Sequence, residues 1–202
     1  GIDVVFRDAG HIIGSSLVEL FVREHGTEKK LVFSGDVGRK HLPVLRDPEY
    51  IEEADVLITE STYGNRVHDD ITKANEKLRQ VITDAYRRGG KIIVPAFSVG
   101  RTQELVYAIH QLVNDKAIPD LPVYVDSPLS VNVTQIFRMH PECFDRETLA
   151  YLYEGEDPFG FQRMTYIRTV EESRELNSIK VPCIIISSSG MCEVGRILHH
   201  LK

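Results

Sequence analysis

Apolar residues in the first sixty positions either alternate with polar ones or gather in short runs, and after that they recur at three- and four-residue steps. Asp3 to Phe6 is short and apolar. Ser16 to Arg23 sets Leu17, Glu19 and Phe21 against Val18, Leu20 and Val22, so both faces of an extended strand are mostly apolar. Gly26 supplies a turn into Lys30-Leu31-Val32-Phe33, the expected hairpin partner. A loop rich in proline and charge follows, and Ala54 to Thr59 predicts another buried strand.

From Asp69 the period changes. Ile71, Ala74, Leu78, Val81, Ile82 and Ala85 mark one apolar helical face, with Asp69 or Asp70 as its cap and Gly89-Gly90 as its end. Lys91 to Pro95 predicts a strand, and the helix after Gly100 is expected to bury Leu105, Ala108, Ile109 and Leu112. Pro122 to Val125 predicts a strand that ends in Asp126-Ser127-Pro128, followed by a helix over Val131 to Arg138. Phe144 to Tyr166 shows no sustained period and reads as irregular. A short helix over Val170 to Leu176 comes next, then a strand from Val181 to Ile186 that runs into Ser187-Ser188-Ser189-Gly190. Val194 to Lys202 looks helical. Strands alternating with amphipathic helices imply βαβ units and a parallel sheet. The expected class is α/β, with a β-rich part over residues 1–66 and an α/β part over residues 67–202.

Composition narrows the class only slightly. In 202 residues, 42% are hydrophobic and 27% charged, as in ordinary globular chains. No apolar run approaches the roughly 20 residues that span a bilayer. Cys143, Cys183 and Cys192 are an odd number without a CxxC pair, which points to a reducing, cytoplasmic setting and against a disulfide framework. The net charge of −6 neither favours nor excludes a nucleic-acid partner, because a local basic face is what phosphate binding needs.

Candidate chemistry lies at strand ends. Asp8-Ala9-Gly10-His11, Ser34-Gly35-Asp36 and Glu60-Ser61-Thr62-Tyr63-Gly64 each follow an extended apolar run. His11, Asp36 and Glu60 together offer an imidazole and two carboxylates, the donors that zinc or manganese takes. Taken singly, each is equally a loop or turn residue. Ser98-Val99-Gly100-Arg101-Thr102 opens a helix, where free N–H groups, the helix dipole and Arg101 suit a phosphate; helix capping beside a surface arginine is the alternative. Asp126-Ser127 and Ser187 to Gly190 are further polar strand ends. His199-His200 is an adjacent pair whose rings diverge on a helix, and both are expected to face solvent or pack partly. Walker A, GxGxxG and GxSxG motifs are absent.

Asp8-Ala9-Gly10-His11-Ile12-Ile13-Gly14-Ser15, Phe33-Ser34-Gly35-Asp36-Val37-Gly38 and Glu60-Ser61-Thr62-Tyr63-Gly64 resemble the metallo-β-lactamase-fold nucleases of the β-CASP group. These are relatives of the endonuclease of mRNA cleavage and polyadenylation. The likeness continues through Pro95 to Glu104, Asp126-Ser127-Pro128-Leu129 and Ser188-Ser189-Gly190-Met191. It implies a partial metallo-β-lactamase-type sheet over residues 1–66, followed by a β-CASP α/β domain over 67–202 with a mainly parallel sheet. It also implies that His11 ligates a metal, that Asp36 bridges two zinc ions and that Glu60 orients a site histidine or assists proton transfer. Ser98, Gly100, Arg101, Ser189 and Gly190 would line a cleft for single-stranded RNA. The family's His-x-His-x-Asp-His motif would precede residue 1, and its later histidine motifs would follow Lys202. The chain is therefore expected to be an internal fragment, inactive alone, of a two-metal ribonuclease. The parent is expected to have no membrane association and is a possible homo-oligomer. Two competing readings are a non-catalytic nucleic-acid-binding scaffold of the same fold and an α/β phosphoesterase with its anion site at Ser98 to Thr102.

Overall fold

A computed structural model describes residues 1–67 and 73–202. The chain forms two compact units, Gly1–Asp69 with Glu142–Thr148, and Asp70–Pro141 with Leu149–Lys202. Among the described residues no helix is long and apolar enough to cross a membrane.

The first unit is built on a sheet of four strands in sequence order: β1 (Ile2–Asp8), β2 (Ser16–Glu24), β3 (Thr27–Phe33) and β4 (Val56–Ile58). The first three pair antiparallel, and β4 joins β3 in parallel. His25 (φ 51°) and Gly26 (φ 75°) close the β2–β3 hairpin with positive φ at both central positions, the turn whose twist matches the strands. Cross-strand register places Ile2, Val4 and Phe6 beside Val22, Leu20 and Val18, then Leu31 and Phe33, then Val56 and Ile58, so one face is apolar across every strand. Much of this face is open: Phe6 is 68% exposed and Ile58 51%. The expected buried strand at 54–59 is thus an exposed edge, because β3 flanks it on one side only.

The opposite face holds Leu17, Val32 and Glu19, all buried. Alternation alone would make Glu19 an apolar position. It is accommodated by Lys30 Nζ at 2.6 Å and Arg7 Nε at 3.1 Å, which supply the countercharge that burial demands. Residues 142–148 belong to this unit through main-chain bonds from Arg46 N–H to the Cys143 carbonyl and from Asp145 N–H to the Val44 carbonyl.

The second unit contains a parallel sheet in the order β5 (Ile92–Pro95), β8 (Ile184–Ser187), β6 (Val123–Asp126), β7 (Met164–Ile167). Ile184, Ile185 and Ile186 in central β8 are essentially inaccessible, and each contributes roughly 1.5–3 kcal/mol of burial. The described α-helices are α1 (Ala74–Arg87), α2 (Arg101–Asn114), α3 (Pro128–Met139), α4 (Arg146–Tyr153, whose first three residues belong to the first unit), α5 (Val170–Ser178) and α6 (Ile197–His200). Gly89, at φ 71°, ends α1 as expected. The proposed caps Asp69 and Asp70, and Ile71, lie outside the described residues.

Several expectations change in detail. Val81 is 55% exposed, so the buried stripe of α1 rests on Ile82 and Ala85. On α2, Leu105 and Ala108 are only half-buried, while Val106, Tyr107 and His110 are buried. The segment 144–166 is not irregular, because it holds α4 and β7. The last strand starts at Ile184 rather than Val181, and the last helix is confined to Ile197–His200.

Candidate functional site

The register that pairs Asp8 with Ser16, Val18 with Phe33 and Phe33 with Ile58 brings the loops after β1, β3 and β4 to one end of the first sheet. These loops are tied together by main-chain and hydroxyl bonds. Ser34 N–H donates to the Ile58 carbonyl, Glu60 N–H to Ser34 Oγ, and Gly38 N–H to the Ala9 carbonyl at 2.8 Å. A Cβ on Gly38 would stand 1.8 Å from the Gly10 carbonyl oxygen, so only glycine lets the two loops approach this closely. Ser15 Oγ accepts from the His11 and Ile12 amides and closes the turn that presents the imidazole.

His11, Asp36 and Glu60 therefore meet. His11 Nε2 lies 4.0 Å from Asp36 Oδ2, with side chains 45% and 71% exposed. Glu60 Oε1 accepts from Val37 N–H at 2.8 Å. Its carboxyl is held below the ordinary value, first by the Thr62 hydroxyl, then by the Val37 amide and more weakly by His11. Asp8, which shares His11's motif, is instead ion-paired with Arg46 at 2.6 Å. An imidazole and a carboxylate are zinc donors, but tetrahedral zinc needs four ligands. Among the described residues no group of three or more His, Cys, Asp or Glu is placed to hold an ion. Among the described residues, His11 and Asp36 therefore bring together two zinc-type donors, short of the four that a tetrahedral ion takes.

In the second unit, Pro95 and Asp126 both register with Ser187, so β5, β6 and β8 end side by side. Ligands in open α/β sheets sit beyond such carboxyl ends. A chain of hydroxyls crosses them: Ser98 Oγ lies 3.0 Å from Ser127 Oγ, which accepts from Ser188 Oγ at 3.1 Å and, as the cap of α3, from Ser130 N–H. Ser189 Oγ is buried and has no hydrogen-bond partner among the described residues. Gly100 (φ 77°) precedes α2, but the expected free amides are partly spent, since Arg101 N–H donates to the Val99 carbonyl and Thr102 N–H to Phe97. Arg101 is exposed and its guanidinium is paired with Glu104 at 2.6 Å. Ser98, Ser189 and Gly190 share this sheet end, and Ser127 and Ser188, which the sequence marked only as polar strand-end residues, join them through the hydroxyl chain.

The sequence reading missed the hub beneath. The fully buried Asp126 carboxylate accepts from Ser173 Oγ at 2.6 Å, Arg196 Nη1 at 2.7 Å and His200 Nε2 at 2.7 Å. Burial pushes the Asp126 carboxyl up, and the bonds from His200, Ser173 and Arg196 outweigh it and hold it below its ordinary value. His200, expected to face solvent or pack partly, has an inaccessible side chain; adjacent His199 is exposed. The Asp-Ser-Pro end of β6 was the available signal, because a carboxylate directly after a buried apolar run must find partners.

A Beta-Casp domain profile matches residues 102–202. Ribonuclease TTHA0252 of Thermus thermophilus is 33% identical over 201 residues, covering 100% of this chain and 45% of that protein. The RNase J-like protein of Methanocaldococcus jannaschii is 36% identical over 205 residues, covering 98% and 45%. Endoribonuclease ysh1 of Schizosaccharomyces pombe is 29% identical over 199 residues, covering 96% and 25%. The chain spans less than half the length of each of these relatives.

Proposed function

Because the chain belongs to the Beta-Casp family, we propose that its parent protein is a zinc-dependent ribonuclease that hydrolyses phosphodiester bonds of single-stranded RNA. The observation that carries this reading is the meeting of His11 Nε2 and Asp36 Oδ2 at 4.0 Å, with Glu60 bonded to the amide of the next residue, Val37. Similarity to proteins named as ribonucleases supports the reaction class.

In the parent, His11 as neutral imidazole and Asp36 as carboxylate would be two of the metal ligands. The remaining donors would come from the parent outside these residues. Bound zinc supplies Lewis acidity toward a water and a phosphate oxygen. Glu60 keeps its charge through the Thr62 and Val37 bonds and orients a neighbouring imidazole. Ser98, Gly100, Arg101, Ser189 and Gly190 would hold the RNA strand, with Arg101 exchanging Glu104 for phosphate. The free cysteines accord with a cytoplasmic protein.

The 202-residue chain by itself should be inactive and hold zinc weakly, and stoichiometric zinc by elemental analysis after dialysis overturns that expectation. In the intact parent, Asp36→Ala should abolish cleavage of single-stranded RNA while near-ultraviolet circular dichroism is unchanged. Cleavage at the unsubstituted rate refutes the assignment.

A further inference from the structure

Phe97 follows Ala96, whose N–H donates to the Ser187 carbonyl, and stands directly before Ser98 at the hydroxyl-lined end of the second sheet. It is 55% exposed, although a phenylalanine in such a short connection ordinarily turns inward. Its backbone is immobilised, because its carbonyl accepts both Thr102 Oγ1 at 2.7 Å and Thr102 N–H at 3.2 Å. Its ring rests on Gly190: a Cβ there would lie 3.0 Å from Phe97 Cδ2 and 3.1 Å from Cε2. One part of the ring is thus backed by main chain, while a large part faces solvent.

Other exposed apolar side chains leave the same strand ends, namely Leu129 (58%) after β6 and Met191 (65%) after β8. The same sheet end also carries the Ser98, Ser127 and Ser188 hydroxyls, and Arg101 with Glu104 opens the helix that follows Phe97. A protein partner would ask for a contiguous apolar core. A nucleotide asks for a rigid aromatic face with hydroxyl and cationic groups close by, since every base has a π-face and every phosphate needs donors.

We infer that Phe97 is a stacking platform for one base of the bound RNA strand, the phosphate side of that nucleotide falling to the partly exposed Ser98 and Ser188 hydroxyls, which buried Ser127 holds in place. Gly190 is then required twice, for backbone approach at the turn and for the seat of the ring. The inference rests on the RNA reading of the parent, and its test separates the two.

The test uses the intact parent carrying Asp36→Ala, so that RNA stays uncut, and single-stranded RNA 12-mers each with one abasic position, followed by fluorescence anisotropy. With Phe97 present, one abasic position should weaken binding about tenfold while the others change it little. Phe97→Leu should weaken unmodified RNA about tenfold and lose its sensitivity at that position, and Phe97→Tyr should restore both. Undiminished affinity in Phe97→Leu, or equal losses at every abasic position in the protein that retains Phe97, overturns the platform. No RNA binding either by that protein or by the unsubstituted parent removes the ribonuclease reading itself, an outcome visible before any change at Phe97.

Discussion

Asp126 Oδ2 and His200 Nε2 stand 2.7 Å apart across 74 residues of sequence, and both side chains are inaccessible to solvent. The second ring nitrogen, Nδ1, lies 2.8 Å from Asn177 Oδ1, so the imidazole links α6 to both β6 and α5. Removing the imidazole takes a hydrogen-bond donor from a buried carboxylate and leaves a cavity, which costs about 3 kcal/mol even though Arg196 still supplies countercharge at 2.7 Å. His200→Ala should therefore lower the urea stability of the second unit by about 3 kcal/mol. Asn177→Ala, which removes a bond beyond the pair, should cost about 1 kcal/mol. Equal costs would show that the imidazole serves only as packing.

Two buried carboxylates set the acid limit of folding. Asp126 lies below its ordinary value because its donors outweigh burial. Glu19 is held low chiefly by Lys30, against the opposing effect of burial and with Arg7 adding to it. A carboxylate lowered by folding contributes stability that is complete above its unfolded value, about 4, and is lost as pH falls through the lower folded value. Urea midpoints should be flat between about pH 7 and 5 and decline below about pH 4 for both units. Glu19→Gln should reduce stability at neutral pH and flatten the acid decline of the first unit. An undiminished acid slope in that variant would show that Glu19 is not among its sources.

The sequence made the hairpin, α1 to α3 and the alternation of strand with helix legible, because each rests on a period of apolar residues. Segment 144–166 gave no such signal. In α4 the side chain that is buried is Thr148, and β7 is four residues that among the described residues pair with β6 alone. His11, Asp36 and Glu60 could be found because each follows a strand that ends at the same sheet edge. Asp126 with His200 could not, since the pairing depends on chain topology rather than local spacing. The divergence expected of His199 and His200 holds, but one ring points to solvent and the other to a buried carboxylate.

Gly38 shows how the first site is kept in shape. Its φ is not in the left-handed region, so substitution is opposed by contact alone, a Cβ 1.8 Å from the Gly10 carbonyl oxygen. That oxygen is backbone and cannot swing aside. Gly38→Ala should cost about 3 kcal/mol, at the upper end of overpacking penalties, and separate the His11 and Asp36 loops. Gly14→Ala is the control: φ is 80°, but nothing lies within 4 Å of the added carbon, so only backbone strain of about 1 kcal/mol applies. Chemical denaturation compares the two, and similar costs would mean that the loops move apart freely.

Thr62 governs the charge of Glu60, because its hydroxyl is the strongest of the groups holding that carboxyl below its ordinary value. A bond to the ionised form favours ionisation, so Thr62→Val raises the Glu60 pKa. If Glu60 acts as a carboxylate in RNA cleavage by the parent, the acid limb of kcat/KM against pH should move to higher pH in Thr62→Val, with the plateau little changed. Glu60→Gln keeps an oxygen that can accept from Val37 N–H but removes the charge, and should lower the plateau about 10- to 100-fold, as loss of a group that orients a metal ligand does. The pair of profiles separates charge from shape. An acid limb that stays in place in Thr62→Val, together with an undiminished plateau in Glu60→Gln, would leave Glu60 as a loop tie and no more.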